Sequence, residues 1–169
     1  MIQSLRLDTK TPEDTQAVGR ALGEQARPGD IILLTGPLGA GKTCLTQGIA
    51  MGLGVEGYVR SPTFVIMTRH HGRLTMHHMD LYRMSGPDEA WDLGLDEQLF
   101  GDGLCVVEWA DRAEELFPDH CLRIDLAYAG GEDHRSLTFS GGLEHHRAVL
   151  EALAGVYPSD RQSNAPVDA

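Results

Sequence analysis

Cysteine, lysine and asparagine are scarce in this chain of 169 residues, and each scarcity excludes something. The three cysteines, Cys44, Cys105 and Cys121, are widely spaced and odd in number. They make neither a zinc-ligand pattern nor a disulfide framework, so the expected compartment is reduced and cytoplasmic. Lys10 and Lys42 are the only lysines, the arginines are scattered, and the formal charge is −11. Nucleic-acid affinity comes largely from neutralised phosphates, so a chain this acidic is not expected to hold DNA or RNA by itself. The sole asparagine, Asn164, lies near the end, which leaves no Asn-Lys-x-Asp element for reading guanine. No apolar run approaches the roughly 18 residues of a membrane span. The opening Met1-Ile2-Gln3-Ser4-Leu5-Arg6 lacks the apolar stretch of a secretory signal.

What is present reads as one α/β domain over residues 1–155, with 156–169 expected to form a disordered tail of small, polar and proline residues. Leu5-Arg6-Leu7 suggests a short first strand. Thr11 can cap a helix that starts at Pro12, carries Glu13 and Asp14 in its first turn and stops before Pro28-Gly29. Ile31-Ile32-Leu33-Leu34 and Leu104-Cys105-Val106-Val107 are continuous apolar runs, as strands covered on both faces require. A helix to about Leu53 follows the first run. Residues 63–69 and 73–81 predict a hairpin turning at His71-Gly72, and 121–128 with 135–139 another around Gly130-Gly131. Further helices are expected from Pro87, over Asp111–Leu116 and over 143–154.

Between the first apolar run and its helix lies Gly36-Pro37-Leu38-Gly39-Ala40-Gly41-Lys42-Thr43, a P-loop. Its glycines let the backbone curl around an anion, and the helix adds its positive N-terminus. Lys42 is expected on the β and γ phosphates of a nucleoside triphosphate and Thr43 on Mg²⁺, which points to MgATP as the ligand. Pro37 has no N–H. The phosphate cradle therefore falls to the amides of Gly39, Ala40, Gly41, Lys42 and Thr43, with Cys44 next in line.

Such a site also needs acids, one on the metal side and one to position water. Ligands in open α/β sheets bind beyond the carboxyl ends of the strands. Asp80 and Glu108 close two predicted strands and are the candidates; which holds the metal stays open at this level. Ser61-Pro62-Thr63 is either a phosphate-sensing switch segment or an ordinary turn. His70, His71, His77 and His78 flank one turn, but adjacent residues of a strand point to opposite faces. They are expected to form a polar hairpin surface rather than a metal site.

Taken together these residues resemble the TsaE (YjeE) family, small bacterial P-loop ATPases of tRNA threonylcarbamoyladenosine synthesis. The resemblance runs over about residues 11–128. It is carried by Leu38-Gly39-Ala40-Gly41-Lys42-Thr43, Gln47-Gly48, Leu53-Gly54, Ser61-Pro62-Thr63-Phe64, His78 with Asp80-Leu81-Tyr82-Arg83, and Glu108-Trp109. It implies a P-loop NTPase-like three-layer fold, a mostly parallel central sheet flanked by helices, and slow hydrolysis of MgATP. It also implies TsaD and TsaB as partners, with tRNA reached only through that complex, and no membrane or DNA. On the matching positions it makes Lys42, Asp80 and Glu108 the catalytic set and puts Thr43 and Glu108 on the metal. Trp109 becomes an aromatic beside the site, with core packing as the alternative. The first helix is brought near the nucleotide base, making Thr11 and Thr15 contacts to test. Three positions depart from the family pattern. Pro37 stands for a usual Asp, Cys44 for a second Thr that would donate better to phosphate, and a usual Tyr is missing near His70. A kinase of a small metabolite and a non-catalytic, ATP-gated assembly module are the alternative functions.

Overall fold

Strand β2 (Ile31–Thr35) divides its side chains between two cores. Ile32 and Leu34 enter one, Ile31 and Leu33 the other, as the two-residue period of a strand dictates. No face is left for water, which is why the segment reads as an unbroken apolar run.

The structure, a computed structural model, describes residues 2–159. In chain order these form β1 (Ile2–Thr9), α1 (Pro12–Gln25), β2, α2 (Lys42–Gly52), β3 (Met67–His71), β4 (Thr75–Asp80), α3 (Pro87–Asp92) and α4 (Asp96–Leu99). They continue with β5 (Leu104–Glu108), a 3-10 helix (Ala110–Leu116), β6 (Leu122–Tyr128), β7 (Arg135–Gly141) and α5 (Glu144–Val156). The strands make one seven-stranded sheet in the order β1-β7-β6-β2-β5-β4-β3. Its centre, β6-β2-β5-β4, is parallel, and the outer pairings are antiparallel. Helices α1, α2 and α5 cover one face, with Val18, Leu22, Leu45, Ile49 and Leu150 buried there. Ala90 of α3, Leu99 of α4 and Ala113 and Leu116 of the 3-10 helix cover the other. The three-layer α/β fold expected from the chain is the one observed.

Helices α1 and α2 interlock through glycine. A Cβ on Gly19 would lie 2.4 Å from the Leu45 carbonyl oxygen, and one on Gly48 2.2 Å from that of Gln16. Backbone against backbone at this separation leaves no space for a methyl group. The contact sets the start of α1 beside the start of α2. Thr11 caps α1 as predicted, its Oγ1 accepting from the Asp14 N–H at 3.1 Å.

Three local expectations change. The strand placed at 63–69 begins only at Met67, because residues 63–66 turn back: the Ile66 N–H donates to the Pro62 carbonyl at 2.7 Å. The Ser61 and Thr63 hydroxyls are drawn to Asp80 instead, an alternative to the ladder that short polar side chains offer. The histidines are not one polar surface. β4 lies inside the sheet between β5 and β3, so His78 is fully buried and His77 nearly so, whereas His70 and His71 sit on the outermost strand. Finally, α5 continues to Val156 and the Tyr157 carbonyl accepts from the Asp8 N–H at 3.4 Å, so the first residues of the expected tail belong to the fold. Residues 160–169 lie outside the described part. Among the described residues no helix is long and apolar enough to cross a membrane.

Candidate functional site

The parallel strands β2, β4 and β5 end at the same edge, and each delivers part of one cleft. Asp80 and Glu108 are register partners across β4 and β5, and Leu34 of β2 pairs with Glu108. β2 runs on into the glycine loop. Gly36, Gly39 and Gly41 all have positive φ, 137°, 78° and 106°. At Gly36 a Cβ would also meet the Leu126 carbonyl oxygen at 2.3 Å, so glycine is required there twice over. Gly41 is the N-cap of α2 and supplies no capping side chain. The first N–H groups of the helix therefore point into the cleft, the arrangement that suits an anion.

The cleft has a volume of ≈ 320 Å³, within reach of a small-ligand site. Its walls include Gly39, Gly41, Lys42, Thr43, Cys44, Asp80, Glu108 and Trp109 from the predicted set. Lys42 donates to the carbonyls of Gly36 at 2.6 Å and Pro37 at 2.9 Å, and its ammonium lies 4.1 Å from the centre of the Trp109 ring. Burial pulls the Lys42 pKa below the ordinary lysine value, against the opposing pull of Glu108, Asp111, Asp80 and Asp125. Thr43 Oγ1 donates to Glu108 Oε1 at 2.9 Å, and the other Glu108 oxygen, Oε2, meets His78 Nε2. Asp80 is equally engaged. Its Oδ2 accepts from the hydroxyls of Ser61 and of Thr63 (3.0 Å for Thr63), and its Oδ1 from the Tyr82 N–H at 2.9 Å. The Thr43 hydroxyl and the buried Glu108 carboxylate lie side by side as oxygen ligands, the kind a hard divalent cation such as Mg²⁺ prefers. The residues fit both the phosphate and the metal of MgATP.

The remaining predicted residues are placed differently. Ala40 is fully buried behind the loop. Thr15 is buried with its Oγ1 2.8 Å from Thr9 Oγ1, and Thr11 is an exposed cap; neither lines the cleft. The Cys44 thiol donates to the Pro12 carbonyl at 3.4 Å, and burial pushes its pKa up, so it stays a protonated, weak donor. Trp109 adopts a left-handed backbone, φ 57°, which turns its ring toward Tyr82, 4.8 Å away, and over the cleft.

Several functional contacts escaped the sequence. Ser61 and Thr63 together clasp Asp80, Tyr82 joins Trp109, and His78 lies under Glu108. Ser61-Pro62-Thr63, Tyr82, His78 and Trp109 are each singled out by the sequence, but their partners are not; His78 does stand two residues before Asp80, on the same face of β4. Tyr128 and Arg135 had no signal. The Tyr128 hydroxyl donates to the Leu38 carbonyl at 2.6 Å and Arg135 reaches the Gly39 carbonyl at 3.4 Å, so the β6–β7 hairpin buttresses the glycine loop from 90 or more residues away.

A second polar cluster sits at the other end of β2. Asp30 Oδ2 accepts from the Arg27 N–H at 2.8 Å and from His145 Nε2 at 2.8 Å, and His146 Nε2 lies 3.3 Å away, off the line of an aligned hydrogen bond. His146 Nδ1 accepts the Leu143 N–H at 2.9 Å, so its proton is on Nε2 and faces the carboxylate. Three ligand-type atoms thus meet, but His146 presents a proton where a metal would need a lone pair. The cluster is a clasp between the α1–β2 turn and α5.

Comparison with known proteins places the chain in a family. Residues 9–137 match the family described as "Threonylcarbamoyl adenosine biosynthesis protein TsaE". The chain is 43% identical over 154 residues to the tRNA threonylcarbamoyladenosine biosynthesis protein TsaE of Bacillus subtilis, covering 90% of this chain and 96% of that one. It is 46% identical over 147 residues to the protein of the same name from Streptomyces coelicolor, covering 82% and 98%. The crystal structure of Bacillus subtilis YdiB superposes with a TM-score of 0.76 at 38% identity, over 97% of this chain and 99% of that one. The chain belongs to the TsaE family of threonylcarbamoyladenosine biosynthesis proteins.

Proposed function

We propose that the chain binds MgATP in the cleft, hydrolyses it slowly, and thereby supports a TsaD–TsaB complex that threonylcarbamoylates the tRNA adenosine beside the anticodon. The observation that carries the ATPase reading is the Thr43–Glu108 hydrogen bond beside Lys42: a hydroxyl, a carboxylate and an ammonium from two elements converge at the start of α2. In this reading the amides of Gly39 to Thr43 donate to phosphate oxygens and Lys42 neutralises the outer phosphates. Thr43 and Glu108 hold the divalent ion, which when bound offsets charge on the β and γ phosphates. Asp80, tied in place by Ser61, Thr63 and Tyr82, orients the attacking water. Trp109 shields the Lys42 side of the cleft from solvent.

Slow turnover is expected because, among the described residues, no arginine lines the cleft; Arg83 lies over Phe64, and Arg112 sits 5.6 Å from the Tyr82 ring. An arginine finger is worth about 10³–10⁵ in rate, and a partner can supply it. The partner and tRNA parts of the proposal draw support from family membership, and the −11 charge favours RNA held by others. Two measurements test the reading. Phosphate release from ATP should proceed without any small acceptor, well below one per second alone and faster with TsaD and TsaB; a strict requirement for a small acceptor would make it a kinase instead. A pull-down with TsaD and TsaB should depend on ATP, and its absence would leave only the ATPase.

A further inference from the structure

We infer that His78 is a positioning residue: it holds Glu108 Oε2 so that Oε1 alone is presented beside Thr43, and it thereby sets the affinity for the divalent ion rather than for the phosphates. This deepens the functional reading above and rests on it.

The two-residue period of β4 puts Met76, His78 and Asp80 on one face, directed into the layer under α2. His78 is fully buried there, and its register partner on β5 is Val106. Its same-face neighbour Met76 and its partner Val106 are apolar. Leu or Met would fill this position without desolvating a ring nitrogen, so an imidazole is justified only by what its nitrogens do. Nε2 meets Glu108 Oε2, while Nδ1 is buried with no hydrogen-bond partner among the described residues. An ionised carboxylate only accepts, so a proton sits on Nε2. The ring is thus a one-armed donor aimed at one oxygen.

Glu108 is 2% exposed, and its two oxygens are divided between two elements: Oε1 to Thr43 at the start of α2, Oε2 to His78 in β4. With both donors present the carboxylate plane has one orientation. Without His78 the Oε2 atom is a buried acceptor with no donor, and the group is free to rotate about its last torsion, which is soft. The oxygen beside Thr43 is then no longer fixed. Groups that orient a metal-binding carboxylate in this way are typically worth about 10–100-fold in metal affinity.

The test compares His78→Met, which removes the donor, with His78→Gln, whose amide N–H can reach the place of Nε2. A fluorescent ATP analogue is titrated in EDTA and in excess Mg²⁺, and the ratio of the two dissociation constants is the metal-dependent gain. His78→Met should bind in EDTA within about twofold of the parent chain and lose about 10–100-fold of the gain; His78→Gln should retain most of it. In a Glu108→Ala background His78→Met should change nothing further. If His78→Met does not fold, His78→Asn, polar but too short to reach Oε2, takes its place. A full gain in the donor-less variant overturns the inference, as does equal loss in EDTA and Mg²⁺, which would make His78 a packing residue only. If the parent chain itself shows no Mg²⁺-dependent gain, the MgATP reading falls and this inference with it, an outcome visible before any variant is made.

Discussion

Thr43 and Glu108 are 65 residues apart in the chain and 2.9 Å apart in the structure, Oγ1 to Oε1. The hydroxyl belongs to the first turn of α2 and the carboxylate to the end of β5. Their meeting joins the phosphate loop to the strand that neighbours it. If the pair holds the metal, Glu108→Ala should reduce ATP turnover by about 10²-fold or more. Binding of nucleotide without metal should change far less. Steady-state phosphate release set against equilibrium binding in EDTA makes the comparison; equal losses would give Glu108 a different role.

Lys42 carries the positive charge in the cleft. Its replacement by Ala removes a charge-assisted contact worth about 2–3 kcal/mol, or roughly 30–150-fold in affinity. Calorimetric titration with MgATP should therefore show Lys42→Ala binding roughly 30–150-fold more weakly than the parent chain. The folded state should be little altered, because the ammonium contacts two loop carbonyls and the Trp109 ring at the edge of the cleft and no residue of either core. An unchanged dissociation constant would remove Lys42 from the phosphate site.

Gly48 tests the helix interlock without touching the site. A methyl there would sit 2.2 Å from the Gln16 carbonyl oxygen, and backbone cannot yield as a side chain does. Gly48→Ala should destabilise by about 1–3 kcal/mol, a fall of about 2–12 °C in Tm for a domain of this size. That range is net of the gain in helix propensity, about 1 kcal/mol. A raised Tm would show that the helices separate at no cost.

Asp30 predicts an acid limb of stability. Burial pushes its carboxyl pKa up, but the close His146 ring and the hydrogen bonds from the Arg27 N–H and His145 more than offset that and hold it below the ordinary 3.8. A group with a depressed folded pKa stabilises the protein above its unfolded value and loses that contribution as pH falls through the folded one. The Tm difference between the parent chain and Asp30→Asn should be present at pH 7 and above about pH 4, and should shrink as the pH is lowered further. A difference that grows on acidification would reverse the sign and refute the clasp. Thermal melts at a series of pH values decide it.

The α/β class, the glycine loop, the capped first helix and the two strand-end acids were legible because each is written in a short stretch of sequence. Ile31 to Leu34 needs no knowledge of its neighbours to read as a strand covered twice. The segment before Met67 misled for a physical reason: Ser61 and Thr63 find a better partner in Asp80 than in the ladder, and Asp80 is distant in sequence. His77 and His78 look like surface residues because polarity is all that sequence displays, whereas the position of β4 inside the sheet buries them.

Sequence by itself determined the backbone chemistry of the site: glycines able to take positive φ, a proline that cannot donate, a lysine and a hydroxyl in consecutive positions. These depend only on local conformation and on which atoms a residue owns. The tertiary structure decided who meets whom. It put Glu108 on both Thr43 and His78, set Asp80 among Ser61, Thr63 and Tyr82, laid Trp109 over Lys42, and left Thr11 and Thr15 off the cleft. Those pairings depend on strand order, which no local pattern encodes, and on the close approach of α1 to α2, for which Gly19 and Gly48 leave room without naming the partner helix.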